Sequence, residues 1–153
     1  MEPSKQPIQI LVVDDEPAIR EFVCLLMKHD GHEVETAACG EAALALLAQR
    51  HFDLVITDFS MPGMQGDELV ARIRQQRPTQ RVIMATAFAE EFKVFGQADG
   101  HVDALLLKPF TLQELRSTIE SVLAVEPPGL SHDLPALEPP APSQRKTKSP
   151  LKP

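Results

Sequence analysis

Residues 8–13, IQILVV, run directly into Asp14 and Asp15, and this junction decides the fold. Only Gln9 interrupts the apolar run, which is the pattern of a strand covered by helices on both faces. From residue 17 to about 28 the period changes. Ile19, Phe22, Val23, Leu26 and Met27 recur at three and four residues, giving a helix one apolar stripe. Pro17 suits its first turn, and Gly31 ends it.

The same alternation continues outward along the chain. Residues 32–36 read as a short strand, and EAALALLAQR, 41–50, as a helix rich in strong helix formers. FDLVIT, 52–57, is a second buried strand, and Asp58 follows it. MPGMQGDEL contains Pro62, Gly63 and Gly66, so it predicts a loop leading into a helix over 67–76 that Pro78 stops. RVIMAT, 81–86, is a fourth strand and VDALLL, 102–107, a fifth. A helix is expected between them over 90–98, although Gly96 and Gly100 dilute its propensity. Thr111 as N-cap and Glu114 three residues later form a capping box for a last helix to about residue 123. Five β/α units in succession imply an α/β fold, a doubly wound parallel sheet with helices on both faces.

Bulk properties bound the rest. With 153 residues and 43% hydrophobic content the chain holds one domain, expected over residues 1–125, and no second folded domain. The formal charge is −7, and residues 126–153 are net +1, which leaves −8 for residues 1–125. So acidic a domain is repelled by phosphate backbones, which argues against direct nucleic-acid binding. Residues 126–153 include eight prolines and few large apolar side chains, so a disordered tail with a basic end, RKTKSPLK, is expected. Cys24 and Cys39 lack metal-ligand spacing and read as buried thiols of a reducing compartment. No apolar run of signal-peptide or membrane-span length occurs in MEPSKQPIQ, and a cytoplasmic protein without membrane contact is expected.

The chemistry lies where the strands end. Asp14, Asp15 and Asp58 converge at the carboxyl edge of a parallel sheet, the edge where open α/β sheets bind ligands. Two like charges about 4 Å apart cost on the order of 4 kcal/mol at an effective dielectric near 20. A divalent cation removes that conflict, and hard oxygen donors with open positions suit Mg²⁺. For any one of these aspartates taken alone the competing role is to cap a helix or form an Asx-turn, work that Asp14 and Asp15 are placed to do. Lys108, between three leucines and Pro109, puts an ammonium at the same edge, able to pair with Asp58 as a point charge. A cis bond before Pro109 would aim it inward. Thr86, flanked by Ala85 and Ala87, offers a hydroxyl at the fourth strand's end.

The order DD, TDFSMPGMQG, ATA and LLLKPF, across residues 8 to about 124, resembles the receiver domain of two-component response regulators. The resemblance implies a flavodoxin-like (βα)5 sandwich with strand order 2-1-3-4-5. It implies Asp58 as phosphoacceptor, Asp15 as a direct Mg²⁺ ligand, Asp14 as an acid acting partly through water, and the main-chain carbonyl of Ser60 as a further ligand. Thr86 and Lys108 would hold the phosphoryl group. The partners implied are a sensor histidine kinase or histidine phosphotransfer protein upstream and an unidentified protein downstream. Such a chain is a phosphorelay switch, monomeric or dimerising on phosphorylation, and not an enzyme. Alternatives are a receiver fragment of a larger regulator or hybrid kinase, an aspartate-nucleophile phosphatase and a binding module that is never phosphorylated. A phosphatase would want a second acid two residues after the nucleophile, where this chain has Ser60. Two positions depart from the family pattern or tune it: Leu105 replaces the usual aromatic switch residue, and Phe88 stands where access of hydrolytic water is set.

Overall fold

The computed structural model describes residues 6–87, 90 and 102–124. All but the first residue of the expected helix over 90–98, together with Phe88 and the tail 126–153, lies outside these residues. Five parallel strands, β1 (Gln9–Val13), β2 (Glu33–Ala37), β3 (Leu54–Asp58), β4 (Val82–Thr86) and β5 (Ala104–Leu107), form one sheet in the order β2-β1-β3-β4-β5. This is the flavodoxin-like topology. The helices among the described residues are α1 (Pro17–His29), α2 (Gly40–Gln49), α3 (Gly66–Gln76) and α4 (Leu112–Ala124).

The two-residue period of each strand divides its side chains between two cores. Leu11, Val13, Val55, Val82 and Met84 pack with Ala43 and Leu47 of α2 and Leu69, Val70 and Ile73 of α3. Ile10, Val12, Leu54, Ile56, Ile83 and Ala85 face the other way, toward Val23 and Met27 of α1 and Leu115, Ile119 and Val122 of α4. Burying side chains of this size contributes about 1.5–3 kcal/mol each. The wide apolar runs read in the sequence are therefore the physical requirement of a sheet with no wet face.

Three local readings change. Phe22 belongs to the apolar stripe of α1 yet is 44% exposed, because its ring lies beside Phe110 at the rim rather than over the sheet. Cys24 and Cys39 are free and half-buried, not buried. β5 begins at Ala104 rather than at 102, since Asp103 turns its side chain to accept from the Val82 amide at 2.7 Å. Gly31 does end α1, with a left-handed φ of 94°.

The capping box at α4 forms as expected. Thr111 Oγ1 accepts from the Glu114 amide at 3.0 Å and Glu114 Oε1 accepts from the Thr111 amide at 2.9 Å. Thr111→Ala should lower stability by about 1 kcal/mol, read as a lower denaturation midpoint with an unchanged slope, and Thr111→Ser should retain most of it.

Candidate functional site

Three loops meet at the carboxyl ends of β1, β3 and β5. One carboxylate oxygen from each of Asp14, Asp15 and Asp58 lies within 4.8 Å of the others. Asp14 and Asp58 are only 3% and 7% exposed, and Asp15 is half-buried. Lys108 Nζ donates to Asp14 Oδ2 at 2.9 Å and to Asp58 Oδ1 at 3.1 Å, so one ammonium bridges two acids from different strands. The Lys108–Pro109 bond is cis. Asp15, Asp58 and Lys108 line a cleft of about 280 Å³ together with Glu16, Ser60 and Ala87.

Local backbone holds these groups in place. Asp14 does the turn work that its position before Pro17 allows: its Oδ1 accepts from the Glu16 amide at 2.9 Å. Both of its carboxylate oxygens are thus engaged, one by that amide and one by Lys108. Arg20, a turn into α1, donates to the Asp14 carbonyl at 2.6 Å and ties the loop to the helix. After Asp58 the chain doubles back, and the Gly66 amide donates to the Phe59 carbonyl at 2.7 Å. A Cβ on Gly66 would stand 2.2 Å from the Asp58 carbonyl oxygen and 2.8 Å from the Phe59 Cα, so only glycine admits this approach.

Burial holds the Asp58 carboxyl above the ordinary carboxylate range, the negative charge of Asp14 adds to the effect, and Lys108 works against both. Burial alone would lower the Lys108 ammonium, but its hydrogen bond and charge contact with Asp14, reinforced by Asp58, leave it above the ordinary lysine range. Three carboxylates against one ammonium leave a net charge of −2 when all are ionised, the amount one divalent cation balances. Hard, anionic oxygens at this spacing fit Mg²⁺.

The structure brings Asp14, Asp15, Asp58 and Lys108 together and sets Ser60 on the cleft wall. Thr86 sits at the end of β4 but is 1% exposed, and its neighbour Ala87 lines the cleft. Glu16 and Arg20 were not singled out from the sequence. The position of Glu16, directly after the two aspartates, was the available signal; for Arg20, whose partner is a backbone carbonyl, the sequence holds none.

Comparison with known proteins agrees with this geometry. Residues 10–120 match the family model described as the response regulator receiver domain. The chain is 36% identical over 115 residues to the transcriptional regulatory protein TcrA of Mycobacterium tuberculosis, covering 75% of this chain and 46% of TcrA. It is 32% identical over 119 residues to the response regulator ArlR of Staphylococcus aureus, covering 78% and 54%. The chain spans about half the length of the curated relatives it matches. Among solved structures, the chemotaxis response regulator CheY4 of Vibrio cholerae superposes with a TM-score of 0.71 at 36% identity, covering 76% of this chain and 99% of that one. The response regulator TrrA of Thermotoga maritima, solved in complex with Mg(2+)-BeF, gives 0.68 at 34% identity, covering 75% and 98%. No helix among the described residues is long and apolar enough to cross a membrane. With the fold, the strand-end acids and the sequence match in agreement, this chain belongs to the response regulator receiver domain family of two-component systems.

Proposed function

We propose that this chain is a phosphoacceptor switch in which Asp58 takes a phosphoryl group from a histidine kinase or histidine phosphotransfer protein. The observation that carries this reading is Lys108 bridging Asp14 and Asp58 in a cleft that holds all three carboxylates. An ionised Asp58 oxygen attacks phosphorus, the P–N bond of a phosphohistidine breaks, and the departing imidazole nitrogen takes a proton from solvent. No general base is required, because the nucleophile is already an anion. The ammonium of Lys108, released from Asp58 Oδ1, follows the charge onto a phosphoryl oxygen.

Asp15 and Asp58, with the Ser60 main-chain carbonyl, are the groups proposed to hold Mg²⁺, which when bound supplies neutralisation of the phosphoryl oxygens' spread charge. Asp14, with both oxygens already engaged, acts at one remove through water. Thr86 is the proposed hydrogen-bond donor to the phosphoryl group, and its burial means the end of β4 must shift to present it. With Leu105 where an aromatic ring would report the state, that shift and the movement of Lys108 are the signal. Residues 1–125 are the proposed switch unit, and its acidity favours output through a protein contact.

Incubation with phosphoramidate and Mg²⁺, followed by intact mass measurement, should add one phosphoryl group per chain and add none to Asp58→Asn. Multiple turnover without accumulation would indicate the phosphatase instead. Absence of labelling would leave a binding module.

A further inference from the structure

We propose that Glu16 is a charge filter that selects phosphoryl donors by the charge of their leaving group, favouring a nitrogen heterocycle over an acyl phosphate. This inference rests on the assignment of Asp58 as acceptor.

Glu16 occupies the N-cap position of α1, with φ −89° and ψ 115°, yet its side chain makes no capping hydrogen bond. That position favours Ser, Thr, Asp or Asn, whose short side chains reach the first free amides. Asp14 accepts from Glu16's own N–H and so fixes the turn into the helix, and the Glu16 carboxylate is left exposed. No cation among the described residues pairs with it. It lines the cleft over Asp58 and also a neighbouring groove of about 380 Å³ formed by Ile19, Phe22, Pro109 and Phe110. Ala87 and Lys108 are the other residues common to both cavities, so the passage between them runs past an unpaired carboxylate.

What travels that passage is the leaving group. With acetyl phosphate, the Asp58 O–P bond forms as the donor's P–O bond breaks, and the electron pair departs on acetate, an anion beside Glu16. With phosphoimidazole the P–N bond breaks, and the nitrogen takes a proton from solvent and departs as neutral imidazole, or as imidazolium if protonated twice. Glu16 repels the first product and tolerates or attracts the second. The groove adds shape to charge: the Phe22 and Phe110 rings, 6.5 Å between centroids, form an apolar wall that suits a flat heterocycle better than a hydrated carboxylate.

The test compares initial rates of Asp58 labelling by acetyl phosphate and by phosphoimidazole, on the full chain with Mg²⁺, in wild type, Glu16→Gln and Glu33→Gln. Glu33 is exposed at the start of β2, at the opposite end of the sheet, and controls for net charge. Glu16→Gln should raise the acetyl phosphate rate about fivefold at low salt and leave the phosphoimidazole rate within about twofold. That change of preference should vanish near 1 M salt, where screening acts within about 3 Å, and Glu33→Gln should show none of it. Equal changes for both donors in Glu16→Gln, or the same change of preference in Glu33→Gln, would overturn the filter while leaving the acceptor assignment intact. Labelling of wild type by neither donor would overturn both.

Discussion

Replacing Asp58 with asparagine is expected to make the metal-free protein more stable at neutral pH, by about 1–3 kcal/mol, while removing most of its response to magnesium. Its carboxylate lies within 4.8 Å of two others, and each such pair costs about 3.5 kcal/mol at an effective dielectric near 20. Lys108 at 3.1 Å returns about 5 kcal/mol on the same scale, which does not cover two repulsions and the loss of water. Asparagine keeps the shape and an acceptor for Lys108 but removes the charge. The pH dependence follows from the same balance. Asp58's carboxyl is held above its unfolded value, so the native state binds the extra proton and metal-free wild type gains stability as pH falls from neutral through that raised value. Asp58→Asn should be flat in that window.

Asp30 supplies an internal contrast. Its hydrogen bonds with Arg116 hold it below the ordinary carboxylate range, so its contribution persists at higher pH and disappears only as pH falls through that lowered value. The two effects therefore occupy different pH windows with opposite signs. Denaturant unfolding across pH, with and without Mg²⁺, measures both, and a ten-fold excess of Mg²⁺ over its dissociation constant should stabilise wild type by about 1.4 kcal/mol. A variant less stable than wild type at neutral pH without metal would show that the Lys108 pairing outweighs the crowding.

The second large effect is expected at Gly66, which carries no functional group. Gly66→Ala puts a methyl group 2.2 Å from the Asp58 carbonyl oxygen, and the obstacle is backbone, which cannot rotate aside. Either α3 retreats from the end of β3 or Asp58 is displaced. A loss of about 2–4 kcal/mol is expected, comparable to other severe overpacking substitutions. Gly40 makes the comparison sharp: a Cβ there meets Met64 Sδ at 2.6 Å, the far end of a flexible side chain that can move. Gly40→Ala should therefore cost much less. Equal midpoints for the two variants in urea unfolding would refute the backbone argument.

What was legible in the sequence tracks how many neighbours a residue needs. Strands β1 and β3 are buried on both faces, so IQILVV and FDLVIT announce themselves by composition alone. Edge strand β2 has only Ala37 fully buried, and its pattern is weak enough that the span 32–36 lies one residue away from the observed Glu33–Ala37. The carboxylates and Lys108 were legible because each ends or closely follows a strand and parallel topology carries them to one edge. Thr86 was placed at the correct strand end, but periodicity cannot tell that its hydroxyl would be buried while Ala87 faces the cleft. Phe22 fits the stripe of α1, and only the position of Phe110, 88 residues away in sequence, sets it at a rim. For Glu16 the only signal in the sequence is its place after the two aspartates; that its carboxylate makes no capping hydrogen bond at the start of α1 emerges only from the structure.

At the far end of the sheet, Arg74 reaches from α3 to the Gln80 carbonyl and to Asp103, whose Oδ2 also holds the Val82 amide at 2.7 Å. These contacts rivet the roots of β4 and β5 together. Their tips meet through the Lys108 amide and the Thr86 carbonyl, beneath the acids. With its base clamped in this way, any shift that a phosphoryl group at residue 58 would impose on the strand pair is confined to its tips, where Thr86 and Lys108 stand.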